Sequence, residues 1–470
     1  MKLPSTLALL ALLAFCATAH AANPTHCQGE PVPAIEAPFQ VRCASDFGIQ
    51  PDQGIDLTAK VQQALDTVAA QGAGLYFLAG DYRFDGNVLL RNRNTILGAA
   101  DGVTRFIGQG PAARTMGDGT YGNTVSDLLV ENIVFDNMTL GFYGRKWRNQ
   151  VRYNAFVNTR ARWDQLFISH YTYQVRGNVF MRGRDFPGMG LSTYRNVDTV
   201  IEGNFFGSPS NAARAAGYLD TRTLTLIARL QAMAARGTLA LDGDQGHFVT
   251  GWGSTDGLKR STFRRNFVAG VTDGALYNPA TGQHDIGRDH AVYLKQYDDV
   301  DVVQNYFSGW PRNASGNVKF RNAQKLVFAA NVLDHLSFDA RPYDNSASLF
   351  MRGTLVFSNV FREGGISYWQ NFTDTPDKFI EIDQFLAFNN TFHAADTSGC
   401  PVAGTWRNAS GRFFSAGNRF APRCTAARAC DFEEISPAAM LARVPDAKRP
   451  LLTLKAISPT APDPRGLAIR

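Results

Sequence analysis

Asn305-Tyr306-Phe307 returns as Asn331-Val332-Leu333, again as Asn359-Val360-Phe361, and again as Asn390-Thr391-Phe392. The same signature, an asparagine followed within three residues by an aromatic or aliphatic side chain, stands upstream at Asn132, Asn154, Asn178, Asn204 and Asn266, and downstream at Asn418. Most intervals lie between 22 and 31 residues; two longer ones, of 62 and 39, each enclose an insertion. A period of this size, carried by short alternating strands without regular helices, predicts a β-solenoid. One coil cannot bury its own apolar side, so coils stack. An inward asparagine at a bend then bonds the asparagines above and below and satisfies backbone turned away from the strands. The spacing predicts one inward column holding Asn154, Asn178, Asn204, Asn305, Asn331 and Asn359. A β-sandwich with asparagine-rich turns is the alternative, but sandwiches do not repeat one turn signature along the whole chain.

The entry segment agrees with a solenoid. Asp46-Phe47-Gly48 reads as a turn, and Ile55 to Ala70 as an amphipathic helix with Ile55, Val61, Leu65 and Val68 on one face and Gly72 as its stop. Leu75 to Tyr82 follows as a strand and turn. An end coil would otherwise pair with other chains, so the helix is expected to cap it. Here the chain resembles the pectate-lyase-like family, which opens with a D-F-G element, a capping helix and a strand ending P-A-G-x-Y. This sequence has Leu78-Ala79-Gly80-Asp81-Tyr82. The resemblance covers roughly residues 45 to 420 and implies an all-β, right-handed parallel β-helix. That fold hosts lyases, hydrolases, epimerases and adhesins, so it does not choose the chemistry.

Lys2, the apolar run Leu7 to Ala17 and Ala19-His20-Ala21 read as a signal peptide over residues 1–21, too short to span a bilayer. A periplasmic or secreted protein without membrane insertion is expected. The organisation predicted is an N-terminal segment 22–44, a solenoid over 45–425 with an insertion at 211–245, and a C-terminal tail 426–470. Within the insertion, Asp220 to Arg236 is helix-like, and such an excursion is expected either to wall a functional groove or to be a tolerated surface addition. Cys27 and Cys43 near the start, and one pair among Cys400, Cys424 and Cys430, suit disulfides in an oxidising compartment. The net charge of +6 suits an acidic partner. No helix-turn-helix, zinc finger or basic arm points to nucleic acid.

The strand before each asparagine turn can be aligned from coil to coil. With Leu191, Val292, Leu294, Val318, Phe320, Leu349 and Met351 pointing in, the alternate residues point out as one row: Tyr171, Tyr194, Trp252, Lys295, Arg321, Arg352, Trp369 and Arg407. A second row holds Ser169, Ser192, Thr250, Tyr293, Lys319, Phe350 and Ser367. Coils stack about 4.8 Å apart, so Lys295, Lys319, Arg321 and Arg352 are expected as a basic cluster flanked by aromatics, in a row free of acids. Aromatic faces suit sugar rings, and cations suit uronates or sulfates. An acidic polysaccharide is therefore the expected partner. A solvated basic face is the plain alternative.

Asp289-His290-Ala291-Val292-Tyr293-Leu294 resembles the H-G-I-Y-L segment of β-helix proteins of carbohydrate metabolism. His290 is either an acid–base group or a turn cap. The set Lys295, Arg321, Arg352, Tyr293 and His290 is similar to the chondroitinase-B and alginate-lyase group, in which a Lys and an Arg on successive coils carry the reaction. The resemblance implies β-elimination of a uronate polymer, with Arg321 as neutraliser, Lys295 as base and Tyr293 or His290 as proton donor. That group's N-K-S is Val318-Lys319-Phe320-Arg321 here, and its R-H-G is Arg352-Gly353-Thr354. No cofactor is predicted. Calcium is open, but no ligand cluster stands out, and Asp298-Asp299-Val300-Asp301 reads as a solvated turn. A C5-epimerase, a glycoside hydrolase and a non-catalytic binding or adhesin protein are the other readings.

Overall fold

The computed structural model describes residues 22–459 apart from 120–124, 145–146, 161–163, 182–188, 242–249, 255, 270–275, 279–282, 286–289, 309–317, 341–348, 370–379, 394–401, 406–412 and 421–431. Each coil contributes three runs of extended chain. The coil that begins at His290 shows all of them. His290–Val303 bends between its first face, ending near Lys295, and its second, ending at Val303; Tyr306–Ser308 forms the third face after the Asn305 turn. Strands of successive coils pair in parallel. Val292 lies opposite Val318, Val300 opposite Leu326 and Tyr306 opposite Val332. The first two faces merge into one sheet and the third is a separate sheet of twelve strands. The chain is a right-handed parallel β-helix, with the hand that parallel crossovers take.

The bend between second and third faces carries an uninterrupted asparagine ladder. The side-chain Nδ2 of Asn154 donates to Oδ1 of Asn178, that of Asn178 to Asn204, and so on through Asn266, Asn305, Asn331, Asn359 and Asn390 to Asn418, at distances between 2.9 and 3.1 Å. The same oxygens accept the preceding asparagine's backbone N–H, as Oδ1 of Asn331 does from Asn305 at 2.8 Å. Each Nδ2 also donates to a backbone carbonyl of the coil before, Asn305 to Phe263 at 2.9 Å. Asn132 is the exception among the ten repeats. It stands one residue out of register, and Ile133 takes the ladder position and donates its N–H to Asn154.

A second regularity accompanies the ladder. The residue before each ladder asparagine is left-handed: Tyr153, Gly177, Gly203, Arg265, Gln304, Ala330, Ser358, Asn389 and Gly417 all have φ between 52° and 62°. Most are not glycine, and each such residue costs about 1–2 kcal/mol. The ladder's buried hydrogen bonds hold the bend in spite of that cost.

Both ends are covered. Thr58–Ala69 is the helix expected at the N-terminus, with Val61, Leu65 and Val68 buried in the core beside Leu75 and Phe77. Ile55, expected on the same face, precedes the helix and is 55% exposed. Cys27 and Cys43 form a disulfide; Cys400, Cys424 and Cys430 lie outside the described residues. At the far end Phe432 packs on Phe385 and Phe413, and Glu433–Glu434 pairs with Phe414 and Ser415.

The insertion forms the helix Thr221–Ala235, capped by Asp220, whose carboxylate accepts from Thr223 N–H at 2.9 Å. Its Ile227 and Leu230, with Tyr218, pack on Phe205, Phe267 and Tyr306, the outward side chains of the third face. The insertion therefore covers the third face and does not wall the first; the second face has an apolar outer column of its own, Val303, Ala329, Phe357 and Phe388 among it, packed against Met440 and Val444 of the tail. The tail returns over the second and third faces. Lys448 bridges Asp299 and Asp301 at 2.7 Å each, and Lys325 approaches Asp298 at 3.6 Å. The aspartate run is thus a strand that clamps the tail, not a solvated turn.

Asn305→Ala should lower unfolding stability by about 2–4 kcal/mol, since it strands buried donors and acceptors on both neighbouring coils. Ala330→Gly should raise it by about 1 kcal/mol by relieving a left-handed alanine. Denaturant midpoints of the two variants test both signs.

Candidate functional site

On the first face the register puts Leu140, Leu166, Leu191, Trp252, Val292, Val318, Phe338 and Ile366 in one inward column. The neighbouring position, one residue on, alternates outward. It runs Gly141, Phe167, Ser192, Gly253, Tyr293, Lys319, Asp339 and Ser367. Two residues further along, a parallel outward row contains Ser169 beside Tyr194, and Lys295 beside Arg321. Lys295, Arg321 and Tyr293 thus share one face on adjacent coils, as expected.

Their geometry is convergent. The Lys295 ammonium lies 5.3 Å from the centre of the Tyr293 ring and the Arg321 guanidinium 5.2 Å from it. His290 stacks on the same ring, with centroids 4.7 Å apart and planes 13° from parallel, and is itself buried. Next to Tyr293, Lys319 and Asp339 form an ion pair at 4.0 Å. Lys319 is 2% exposed and Asp339 fully buried. Ser367 approaches the Asp339 carboxylate at 3.5 Å. The expected acid-free row is therefore corrected: a carboxylate stands directly beneath Lys319, and Lys319 is a buried partner to it instead of a surface contact.

Other expectations shift by whole positions. Trp252 was placed in the outward row with Tyr194, but it lies opposite Leu191 and Val292, is fully buried and stacks on Phe263 at 4.4 Å. Its indole N–H donates to Thr193 at 3.2 Å. The strand Thr250–Ser254 is three residues out from the alignment by Val249, since Trp252 takes the position expected for Val249, and the flanking Gly251 and Gly253 leave the large ring as that coil's core residue. Arg352 belongs one corner further on, opposite Gln324 and Asp383, with its guanidinium over Phe350 at 5.3 Å. The coil after Arg321 gives Phe338–Ala340 to the first face, and this brings Asp339 into the row. Tyr171 is opposite Asn196, not Tyr194. Trp369 lies on a strand opposite Thr405, but its side chain is outside the described set, and Arg407 lies outside the described residues.

The N-terminal half of the face carries features the alignment missed. Tyr143 stacks on Phe167 at 4.6 Å, and the exposed Trp147 on Tyr171 at 4.7 Å. Asp164 is hydrogen-bonded by the Ser192 hydroxyl. Burial pushes its carboxyl up to about 7, against the opposing pull of that bond. Among the described residues no group of three or more His, Cys, Asp or Glu side chains could hold a metal ion, and no helix is long and apolar enough to cross a membrane.

These features define a parallel β-helix with a row of polar, charged and aromatic side chains along one face. No protein-family model matches the chain, and no curated protein is similar to it in sequence. Solved structures with similar backbones include the surface protein and adhesin PfbA of Streptococcus pneumoniae, at TM-score 0.48 and 10% identity over 84% of this chain and 97% of that one. The A-module of the Azotobacter vinelandii mannuronan C-5 epimerase AlgE6 aligns at TM-score 0.41 and 13% identity over 81% and 99%. A mutant tailspike protein of E. coli bacteriophage HK620, in complex with a pentasaccharide, aligns at 0.42 and 11% over 84% and 64%. None of the three assigns an activity to this chain.

Because the folded-state value of Asp164 lies above the ordinary 3.8, its contribution to stability is full below pH 3.8 and is lost as pH rises through about 7. The melting-temperature gap between parent and Asp164→Asn should therefore shift against the parent as pH rises to about 7 and stay flat above it. A pH-independent gap would contradict the raised value.

Proposed function

We propose that the first face binds an acidic, uronate-containing polysaccharide along the solenoid axis, outside the cytoplasm, and that the protein cleaves it by β-elimination. One observation carries this reading. Two cations from neighbouring coils, Lys295 and Arg321, flank the same Tyr293 ring. A uronate lying there would place its carboxylate against the Arg321 guanidinium, which offers a planar pair of donors. Neutralising that carboxylate stabilises the enolate-like charge that develops when the C5 proton leaves. Lys295, having first released its ammonium proton to solvent beside the permanently charged Arg321, takes the C5 proton as the neutral amine. The C4–O4 bond breaks, C4–C5 becomes a double bond, and the departing O4 takes a proton from the Tyr293 hydroxyl, with the stacked His290 next in line as donor. Lys319, opposite Tyr293 on the next coil, and Asp339, one coil further, form a buried ion pair beside this constellation. Solvent returns each group to its starting protonation.

The test is the absorbance of an unsaturated uronate on incubating the protein with acidic polysaccharides. Lys295→Ala should lower turnover by about 10²–10⁴-fold while leaving binding largely intact. Lys295→Arg should not restore it, because arginine keeps the charge but does not act as a base. Near-parental turnover in Lys295→Arg would make Lys295 a charge clamp and move the base elsewhere. Unbroken chains with inverted C5 centres would replace cleavage by epimerisation.

A further inference from the structure

Three coils before Lys295, the face changes character. Trp147 is 43% exposed, among the most exposed large hydrophobic side chains described. Its ring lies on that of Tyr171, with centroids 4.7 Å apart and planes 17° from parallel. Tyr171 reaches it from an unusual backbone. His170 and Tyr171 are consecutive left-handed residues, with φ of 51° and 52°, a pair that costs about 1–2 kcal/mol per residue. One left-handed residue at this corner recurs at Arg195, Gln296 and Asn322; here a second follows it, at the residue whose ring lies on the indole. The ring pair is not filling the core, because the core column of this coil is already made by Leu166 and Ile168.

The charges around this ledge are matched. Arg148, beside Trp147, is held by Asp127 through contacts of 2.7 and 3.0 Å. Arg195, which follows Tyr194 and covers its ring at 5.1 Å, is held by Asp256 at 2.7 Å. Lys295 differs: its ammonium lies over the Tyr293 ring, and among the described residues no carboxylate lies in ion-pair contact with it. The face therefore divides into a cationic segment and an aromatic segment whose flanking cations are already paired. Tyr171, Asn196, Gly257 and Gln296 mark successive coils at one corner. The ledge and Lys295 are thus about 14 Å apart along the axis, at about 4.8 Å per coil.

We infer that the Trp147–Tyr171 ledge is a subsite for an uncharged pyranose, and that the polymer held on this face interleaves neutral or N-acetylated sugars with its acidic ones. The inference rests on the reading of the first face as the bed of an acidic polysaccharide. The π-face of an aromatic ring carries negative potential and prefers C–H edges to carboxylates. A uronate is poorly matched there, whereas the C–H face of a neutral sugar is well matched. The strands that carry Tyr171 and Lys295 belong to one sheet, three coils apart, so one extended chain can reach both. A homopolymer of uronate would set a carboxylate against the aromatic rings.

The experiment compares two probes by titration calorimetry: unsulfated hyaluronan, which alternates glucuronate with N-acetylglucosamine, and polygalacturonate, which is uronate throughout. The parent should bind hyaluronan about tenfold more tightly. Trp147→Ala should remove that preference and leave polygalacturonate binding unchanged, while Trp147→Tyr should retain most of it. Arg321→Ala should weaken both polymers. A parent without preference, or a Trp147→Ala variant that keeps the preference or weakens both polymers equally, would overturn the subsite while leaving the cationic face standing. If neither polymer binds the parent, the reading of the face itself falls along with the subsite. A thermal melt of Trp147→Ala equal to the parent's confirms that any loss is one of contact and not of fold.

Discussion

The asparagine ladder is the constraint from which the rest of the molecule follows. Each coil must turn sharply between its second and third faces, and at that bend the backbone leaves both sheets. A chain of carboxamides, each donating to the next and each accepting the neighbouring backbone N–H, satisfies the groups that the bend would otherwise strand in the core. Because the ladder tolerates no slippage, every coil is locked in phase with the next. That phase lock lets Lys295 and Arg321, separated in sequence, stand side by side on the opposite part of the coil.

Function is distributed around the coil by what each face can bury. The third face carries an apolar outer column, so it is covered by the insertion helix and the returning tail. The second face is clamped by the tail through Lys448 and its two aspartates. The first face has glycine, serine and charged residues in its outward row, with aromatics at its N-terminal end. Small residues at Ser192 and Gly253 keep the middle of the row low, between the ring pairs and the cations. Such a bed suits an extended ligand lying along the axis better than a compact one in a pocket.

The ladder was legible in the sequence because a buried asparagine at a fixed bend has no substitute, and its phase survived the insertions. The capping helix and the Asp220 helix were legible for similar local reasons: periodicity, a cap residue and a stop. Register on the first face was harder. It depends on where each strand begins after a long excursion, and apolar alternation admits a two-residue slip without changing its pattern. Tyr171 is displaced by two positions in that way, whereas Trp252 and Arg352 are displaced by three, an odd slip that turns Trp252 inward, and Asp339 was missed because the coil that carries it was aligned to the wrong strand. The left-handed residues before each asparagine offered an independent ruler. Gly177, Gly203 and Gly417 are its visible marks, but tyrosine, arginine and alanine at equivalent positions conceal it. Trp147 carried no periodic signal, since it lies outside the strands.

The central claim is that the first face, and within it the Tyr293, Lys295 and Arg321 constellation, holds a uronate carboxylate. A crystal structure of the catalytically impaired Lys295→Ala variant with an acidic hexasaccharide tests it most directly. The account predicts a sugar chain running parallel to the solenoid axis over Ser192 and Gly253, with one carboxylate paired to Arg321 and its C5 facing the vacated Lys295 position. A chain bound along the third face, or lying on the first face with every carboxylate turned away from Arg321, would contradict it.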